Sequence, residues 1–287
     1  MHWVDFGGPD EPAGPEAGAP PVVLVHGLGG SHLNWVGLAP ALTPHHRVYA
    51  LDLAGFGLTP GAGRDTSVHG NAALLAQFLT EIVGEPAVLV GNSMGGMVSF
   101  LLAADRPDLV TSLVLIDPSI PARRGLTDRQ ITLVFLLYSV PRLGEHFVRA
   151  LNARRDDERR VQATVDLCFA DPTRADPAVV EAGVRLAAYR REHDPEGDPS
   201  FVAAARSLVA LLRDGTRYAS LIRSITAPIL LVHGERDRLV PFAAAQEAAA
   251  ANPRWDTLFL PGVGHTPQLE VPEVVGPAVA AWLNSSR

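Results

Sequence analysis

Short, unbroken runs of apolar residues recur along this chain and predict its strands. Pro21-Val22-Val23-Leu24-Val25, Pro86-Ala87-Val88-Leu89-Val90 and Ala227-Pro228-Ile229-Leu230-Leu231-Val232 are the clearest. Arg47-Val48-Tyr49-Ala50-Leu51, Leu113-Val114-Leu115-Ile116 and Thr257-Leu258-Phe259-Leu260 read the same way. Glycine, aspartate or proline follows most of them. Unbroken rather than alternating apolarity is what a parallel strand covered on both faces requires. Helical patterns separate the runs. Val68 to Val83 has apolar residues at helical spacing and stops at Gly84. Met97 to Asp105 is a second helix, and Phe242 to Ala251 a third that stops at Asn252-Pro253. Strand and helix in alternation predict an α/β fold with a doubly wound, mostly parallel sheet.

The alternation breaks in the middle of the chain. From about Pro118 to Thr226 no strand pattern occurs, and five helices are predicted: Asp128 to Tyr138, Leu143 to Asn152, Asp156 to Phe169, Pro177 to Arg190 and Ser200 to Asp214. Charged and Pro/Gly clusters such as Asp194-Pro195-Glu196-Gly197-Asp198-Pro199 separate them. The expected organisation is an α/β core from residues 1–118 and 226–287, with residues 119–225 forming a helical cap.

Three glycine-rich junctions carry candidate chemistry. Ser93 lies in Gly91-Asn92-Ser93-Met94-Gly95, between a predicted strand and a helix. A serine hydroxyl is a poor nucleophile unless it is exposed, aimed and paired with a base. A sharp strand-to-helix turn supplies exposure and aim, and it needs small residues at Gly91 and Gly95. The helix N-terminus also sets backbone N–H groups beside the reacting centre. The pentapeptide alone is weak evidence, and a serine capping a tight turn would look similar. Its place between strand and helix is what gives it weight. His26-Gly27-Leu28-Gly29-Gly30 follows an earlier strand, and the N–H groups of Leu28 and Met94 are the expected oxyanion hole. His26 itself reads as a residue that holds its glycine turn by hydrogen bonding.

His265, in Gly262-Val263-Gly264-His265-Thr266-Pro267, suits a loop-borne general base. A lone loop histidine is usually surface decoration, but the chain order Ser, Asp, His changes that reading. Asp237 follows the strand ending at Val232 and is the expected acid that orients the base. Asp117, after Leu113–Ile116, and the nearby Glu235 are its competitors.

Composition removes several alternatives. All 24 basic side chains are arginine, so lysine-based Schiff-base, phosphate-loop and Ser-Lys chemistries are excluded. A net charge of −7 gives no general attraction to nucleic acid or to anionic lipid. Cys168 is the single cysteine, reads as a packed core thiol, and permits no intrachain disulfide. His32, His45, His46 and His69 show no metal-ligand spacing, so neither a metal nor a cofactor is expected. With no leader pattern and no apolar run long enough to span a membrane, a cytoplasmic monomer or homodimer acting on a small-molecule substrate is expected.

The junctions, taken together with Asp52-Leu53-Ala54-Gly55-Phe56-Gly57 and His233-Gly234-Glu235-Arg236-Asp237, resemble those of the α/β-hydrolase fold family, in order and in spacing. The resemblance covers nearly the whole chain and is closest to serine-nucleophile, esterase-like members with a helical cap. It implies an eight-stranded sheet and a triad of Ser93, Asp237 and His265. Such members usually open with an antiparallel strand pair; His2 to Gly8 looks like the second of the pair, and the first is either missing or lies upstream of this start. Serine at the nucleophile position excludes the relatives that need an aspartate there, the haloalkane dehalogenases and epoxide hydrolases. The expected function is hydrolysis of carboxylic esters of small or medium, largely apolar substrates. The apolar segment Ile131 to Tyr138 suggests that apolar preference, although packing of the cap on itself would look the same. Carbon–carbon bond hydrolysis of aromatic ring-cleavage products is the alternative enzyme, despite an oxyanion loop that differs from theirs. A slow-turnover small-molecule receptor is the alternative outside catalysis.

Overall fold

The structure is a computed structural model that describes residues 1–9, 19–121, 156–194 and 197–285, with residues 144 and 146. The predicted helices at 128–138 and 143–152, and the apolar segment 131–138, fall outside these residues, apart from 144 and 146.

Seven strands among the described residues form one sheet: β1 (His2–Gly7), β2 (Val22–Val25), β3 (Val48–Asp52), β4 (Ala87–Asn92), β5 (Val110–Ile116), β6 (Ile229–Gly234) and β7 (Asp256–Leu260). Their order across the sheet is β1-β3-β2-β4-β5-β6-β7. Only the edge strand β1 runs antiparallel, against β3; every other pairing is parallel. The eight-strand expectation is therefore corrected to seven among the described residues. His2–Gly7 pairs with β3 alone, and its alternating burial marks an edge strand with one face open.

The unbroken apolar runs end up where the parallel-sheet argument requires. Val22 to Val25 and Ala87 to Asn92 are buried at every position. Val23, Val25, Leu89 and Leu115 pack into the layer that includes Phe78, Met97 and Phe100. Leu24, Val90 and Val114 pack into the opposite layer with Trp35, Leu38 and Val275. One face thus receives α2 (Val68–Phe78) and α3 (Met94–Asp105), and the other receives α1 (Ala39–Leu42) and the C-terminal helix (Pro272–Ser285).

Helix boundaries differ slightly from the pattern. α3 begins at Met94, three residues before the apolar spacing starts, because the turn at Ser93 launches it directly. The helix from Val68 widens over Leu79–Val83 into a π turn and ends at Gly84, whose φ of 79° only glycine adopts easily.

The described part of residues 119–225 is helical: α4 (Asp157–Cys168), α5 (Pro177–His193), α6 (Gly197–Arg213) and α7 (Gly215–Ser224). These helices touch the sheet-borne loops at named points. Arg190 donates to Gly55 O at 2.6 Å, and Ser207 Oγ accepts from the Val68 amide at 2.8 Å. A Cβ on Gly29 would lie 3.4 Å from the Phe201 ring, so α6 lies over the glycine loop after β2.

Leu89 is fully buried in β4, the central strand of the seven. Leu89→Ala is expected to cost roughly 2–5 kcal/mol from lost transfer free energy plus the residual cavity. The midpoint of urea unfolding checks this, with an unchanged m-value.

Candidate active site

β4 ends at Asn92, and the chain turns at Ser93 with φ 54° and ψ −116°, a conformation that costs an L-residue free energy. The parallel neighbour β5 and the segment that follows it hold the turn. The Ser93 amide donates to Ile116 O at 3.0 Å, and Ser93 O accepts from the Ser119 amide at 3.0 Å. Close backbone approach explains the flanking glycines. A Cβ on Gly95 would sit 2.0 Å from Val25 O, and one on Gly91 would sit 2.6 Å from Gly95 O.

The loop after β2 reaches the same point. A Cβ on Gly27 would lie 3.1 Å from Ser93 Cβ, so the Leu28 segment borders the serine. His26 is fully buried; its Nδ1 lies 2.8 Å from Gly27 O and its Nε2 accepts from the Leu53 amide at 3.0 Å. Both ring nitrogens are thereby used by backbone, and burial lowers the pKa of the ring. Among the described residues, neither the Leu28 nor the Met94 amide donates to a protein acceptor.

His265 and Asp237 come together from the loops after β7 and β6. His265 Nδ1 lies 2.7 Å from Asp237 Oδ2, and both side chains are buried. Asp237 Oδ1 accepts from the amides of Leu239 and Val240 at 2.7 and 3.0 Å. Burial pushes the Asp237 carboxyl upward, but the adjacent His265, and then His233, outweigh it and hold its pKa below the ordinary value. The hydroxyl of Ser93 rests 3.5 Å from Ser119 Oγ, and among the described residues no hydrogen bond joins it to His265.

The competing acids separate. Glu235 is exposed. Asp117 is fully buried, accepts the Gly234 amide at 3.0 Å on Oδ1, and leaves Oδ2 without a partner. It lies in one cluster with His233 and Asp237, while the bond to His265 belongs to Asp237. Burial, followed by the charge of Asp237, raises the Asp117 carboxyl well above its ordinary range. Cys168, expected in the core, is partly buried; burial, then Asp237 and Asp117, pushes its thiol up to about 12. It is therefore inert as a nucleophile.

Three positioning side chains escaped the sequence pattern. Asn92 Nδ2 donates to Ile116 O and to His265 O, at 3.0 and 3.1 Å, and ties the Ser93 turn to the histidine loop. Ser119 places a second hydroxyl beside Ser93, and its carbonyl accepts from Tyr218 of α7 at 3.1 Å. Glu270, 2% exposed, accepts three backbone amides: Gly264 at 2.8 Å, Ala170 at 3.1 Å and Asp171 at 3.0 Å. The His265 amide itself donates to Cys168 O. Glu270 thus fastens the His265 loop to the end of α4. The one available signal was an acid set between apolar residues in Leu269-Glu270-Val271.

Two outcomes follow. Glu270→Gln replaces one acceptor oxygen with an NH2 that faces backbone donors. It is expected to cost about 2 kcal/mol or more, read by urea unfolding, and to speed amide exchange at Gly264, Ala170 and Asp171 together. Asp117 holds its proton to higher pH in the folded chain than in the unfolded one. Stability therefore falls as pH rises above about 4 toward the folded pKa, by up to about 1.4 kcal/mol per pH unit. Asp117→Asn removes that term, so unfolding titrations from pH 4 to 8 are expected to show a flatter profile in the variant.

The family model described as alpha/beta hydrolase fold matches residues 20–272. The acetyltransferase component of the acetoin cleaving system of Pseudomonas putida, a dihydrolipoyllysine-residue acetyltransferase, is 31% identical over 285 residues; the match covers 99% of this chain and 66% of that protein. The chain thus spans just under two thirds of that relative's length. A pimeloyl-(acyl-carrier protein) methyl ester esterase of Vibrio vulnificus strain YJ016 is 27% identical, over 95% of this chain and 94% of its own. A haloalkane dehalogenase from Bradyrhizobium elkani superposes with a TM-score of 0.80 at 24% identity, covering 99% of this chain and 94% of that one, a likeness of fold alone. The chain belongs to the alpha/beta hydrolase fold family.

Proposed function

We propose that this chain is a serine hydrolase that cleaves carboxylic esters of small or medium, largely apolar substrates through an acyl-enzyme on Ser93. The observation that carries the reading is the 2.7 Å contact between His265 Nδ1 and Asp237 Oδ2. An Nδ1–H donated to Asp237 leaves Nε2 as the basic nitrogen. Rotation of the Ser93 side chain from its contact with Ser119 brings Oγ to Nε2 as substrate binds.

In this scheme Ser93 Oγ attacks the ester carbonyl while His265 takes its proton. The Leu28 and Met94 amides stabilise the oxyanion. His265 then returns the proton to the departing alcohol. Water, activated by the same imidazole, attacks the acyl-enzyme and frees the acid and Ser93. Asp237 stabilises the imidazolium in both halves. The likeness to an ester-cleaving relative over most of both chains supports the bond type. Phe201 of α6, beside Gly29, supports an apolar acyl pocket. The helices between residues 119 and 225 act as its cap in this reading.

Turnover of p-nitrophenyl butyrate by wild type, with loss of at least 10³-fold in Ser93→Ala, is expected. His265→Ala should lose a similar factor. Undiminished turnover in Ser93→Ala removes the serine from the mechanism. Faster reaction with a ring-fission diketone than with any ester of a graded acyl series would replace ester hydrolysis by carbon–carbon cleavage.

A further inference from the structure

A second group of histidine and carboxylate side chains takes no part in the ester chemistry above. His2 opens β1, His32 opens the 3-10 turn His32–Trp35, and Asp52 closes β3. The antiparallel register of β1 on β3 sets His2 opposite Asp52. Asp52 Oδ2 lies 2.7 Å from His2 Nδ1 and 2.9 Å from His32 Nδ1. The two imidazole centroids are 5.1 Å apart and tilted by 54°.

Backbone fixes the carboxylate. Asp52 Oδ1 accepts the His32 amide at 2.7 Å and Oδ2 accepts the Leu58 amide at 2.8 Å. Outer hydrogen bonds of this kind orient a metal-ligating carboxylate. If protons alone hold the group together, both rings must carry theirs on Nδ1. His32 Nδ1 also lies 3.1 Å from Oδ1, so its proton is shared between the two oxygens, and four N–H donors then take up all four lone pairs of the carboxylate. A divalent cation can stand in for the two imidazole protons. It replaces both Nδ1 protons and draws on one lone pair from each of three converging atoms.

We propose that His2, His32 and Asp52 form a binding site for a divalent transition-metal cation, with Zn²⁺ the best match. Two imidazole nitrogens and one carboxylate oxygen suit Zn²⁺ or Co²⁺, whereas Mg²⁺ and Ca²⁺ require mostly oxygen. The His2 side chain is 32% exposed and that of His32 15%, so the cation has a path in and a water can complete a tetrahedron. Zinc bonds of about 2.0–2.2 Å need the donors roughly 0.5 Å further apart than their hydrogen-bonded spacing, and His2, on the edge strand, has room to give. The site joins three separate elements, so no local ligand spacing announces it. His32 follows Gly29-Gly30-Ser31 directly, so a bound cation fastens the ends of β1 and β3 to the loop that carries Leu28.

The test uses the full chain after dialysis against a chelator. Titration calorimetry is expected to show one equivalent of Zn²⁺ bound with micromolar Kd. Co²⁺ should give the intense visible absorption of a four-coordinate nitrogen–oxygen site, and millimolar Mg²⁺ should raise no Tm. His2→Ala, on a partly exposed strand, is expected to bind Zn²⁺ at least tenfold more weakly, and His265→Ala to bind it as tightly as wild type. Binding equally tight in His2→Ala overturns the proposal. So does a loss in His265→Ala alone, which would move the metal to the active site, or a wild-type Kd weaker than millimolar.

Discussion

The backbone at Ser93 is forced to a positive φ, and the rest of the site depends on that turn. The conformation costs on the order of 1–3 kcal/mol and persists only where its surroundings over-determine it. Here β2, β4 and β5 do so. Gly95 lies against the carbonyl of Val25, the Ser93 amide is held by Ile116, and all three strands lie within the buried middle of the sheet. The parallel sheet is what makes the turn affordable. It also gathers the loops after β2, β4, β6 and β7 at one end, the general location of sites in open α/β sheets.

The second half of the site is a problem of burying charge. Asp237, Asp117, His233 and His265 share a volume from which water is largely excluded. An isolated carboxylate there would be expensive. Two amides and His265 satisfy Asp237, while burial and the charge of Asp237 push its neighbour Asp117 toward the protonated form. Backbone ties then place the imidazole. Asn92 holds His265 O, Cys168 O holds its amide, and Glu270 holds Gly264. Through Glu270 and Cys168, any movement of α4 is felt at the histidine.

Much of this was legible in the chain. The strands announced themselves because parallel strands buried on both faces are apolar at every position. The loops of Ser93, Asp237 and His265 announced themselves because sharp turns need glycine and proline. What the pattern missed depends on long-range partners. Glu270 resembles any amphipathic acid until Ala170 and Asp171 arrive from a hundred residues away. His2, His32 and Asp52 lack local spacing because the antiparallel edge brings them together. The sheet has seven strands among the described residues, where family resemblance implied eight. Asp117 and Asp237 stood as rivals in the sequence, and only the fold shows them to be neighbours in one buried cluster.

The most direct measurement is rapid-quench mass spectrometry of the protein mixed with p-nitrophenyl butyrate, followed by peptide mapping. Acylation through the serine predicts one butyryl group on the peptide containing Ser93, formed at the rate of the nitrophenol burst and absent in His265→Ala. A butyryl group on any other residue, or turnover with no covalent adduct at any quench time, would contradict it.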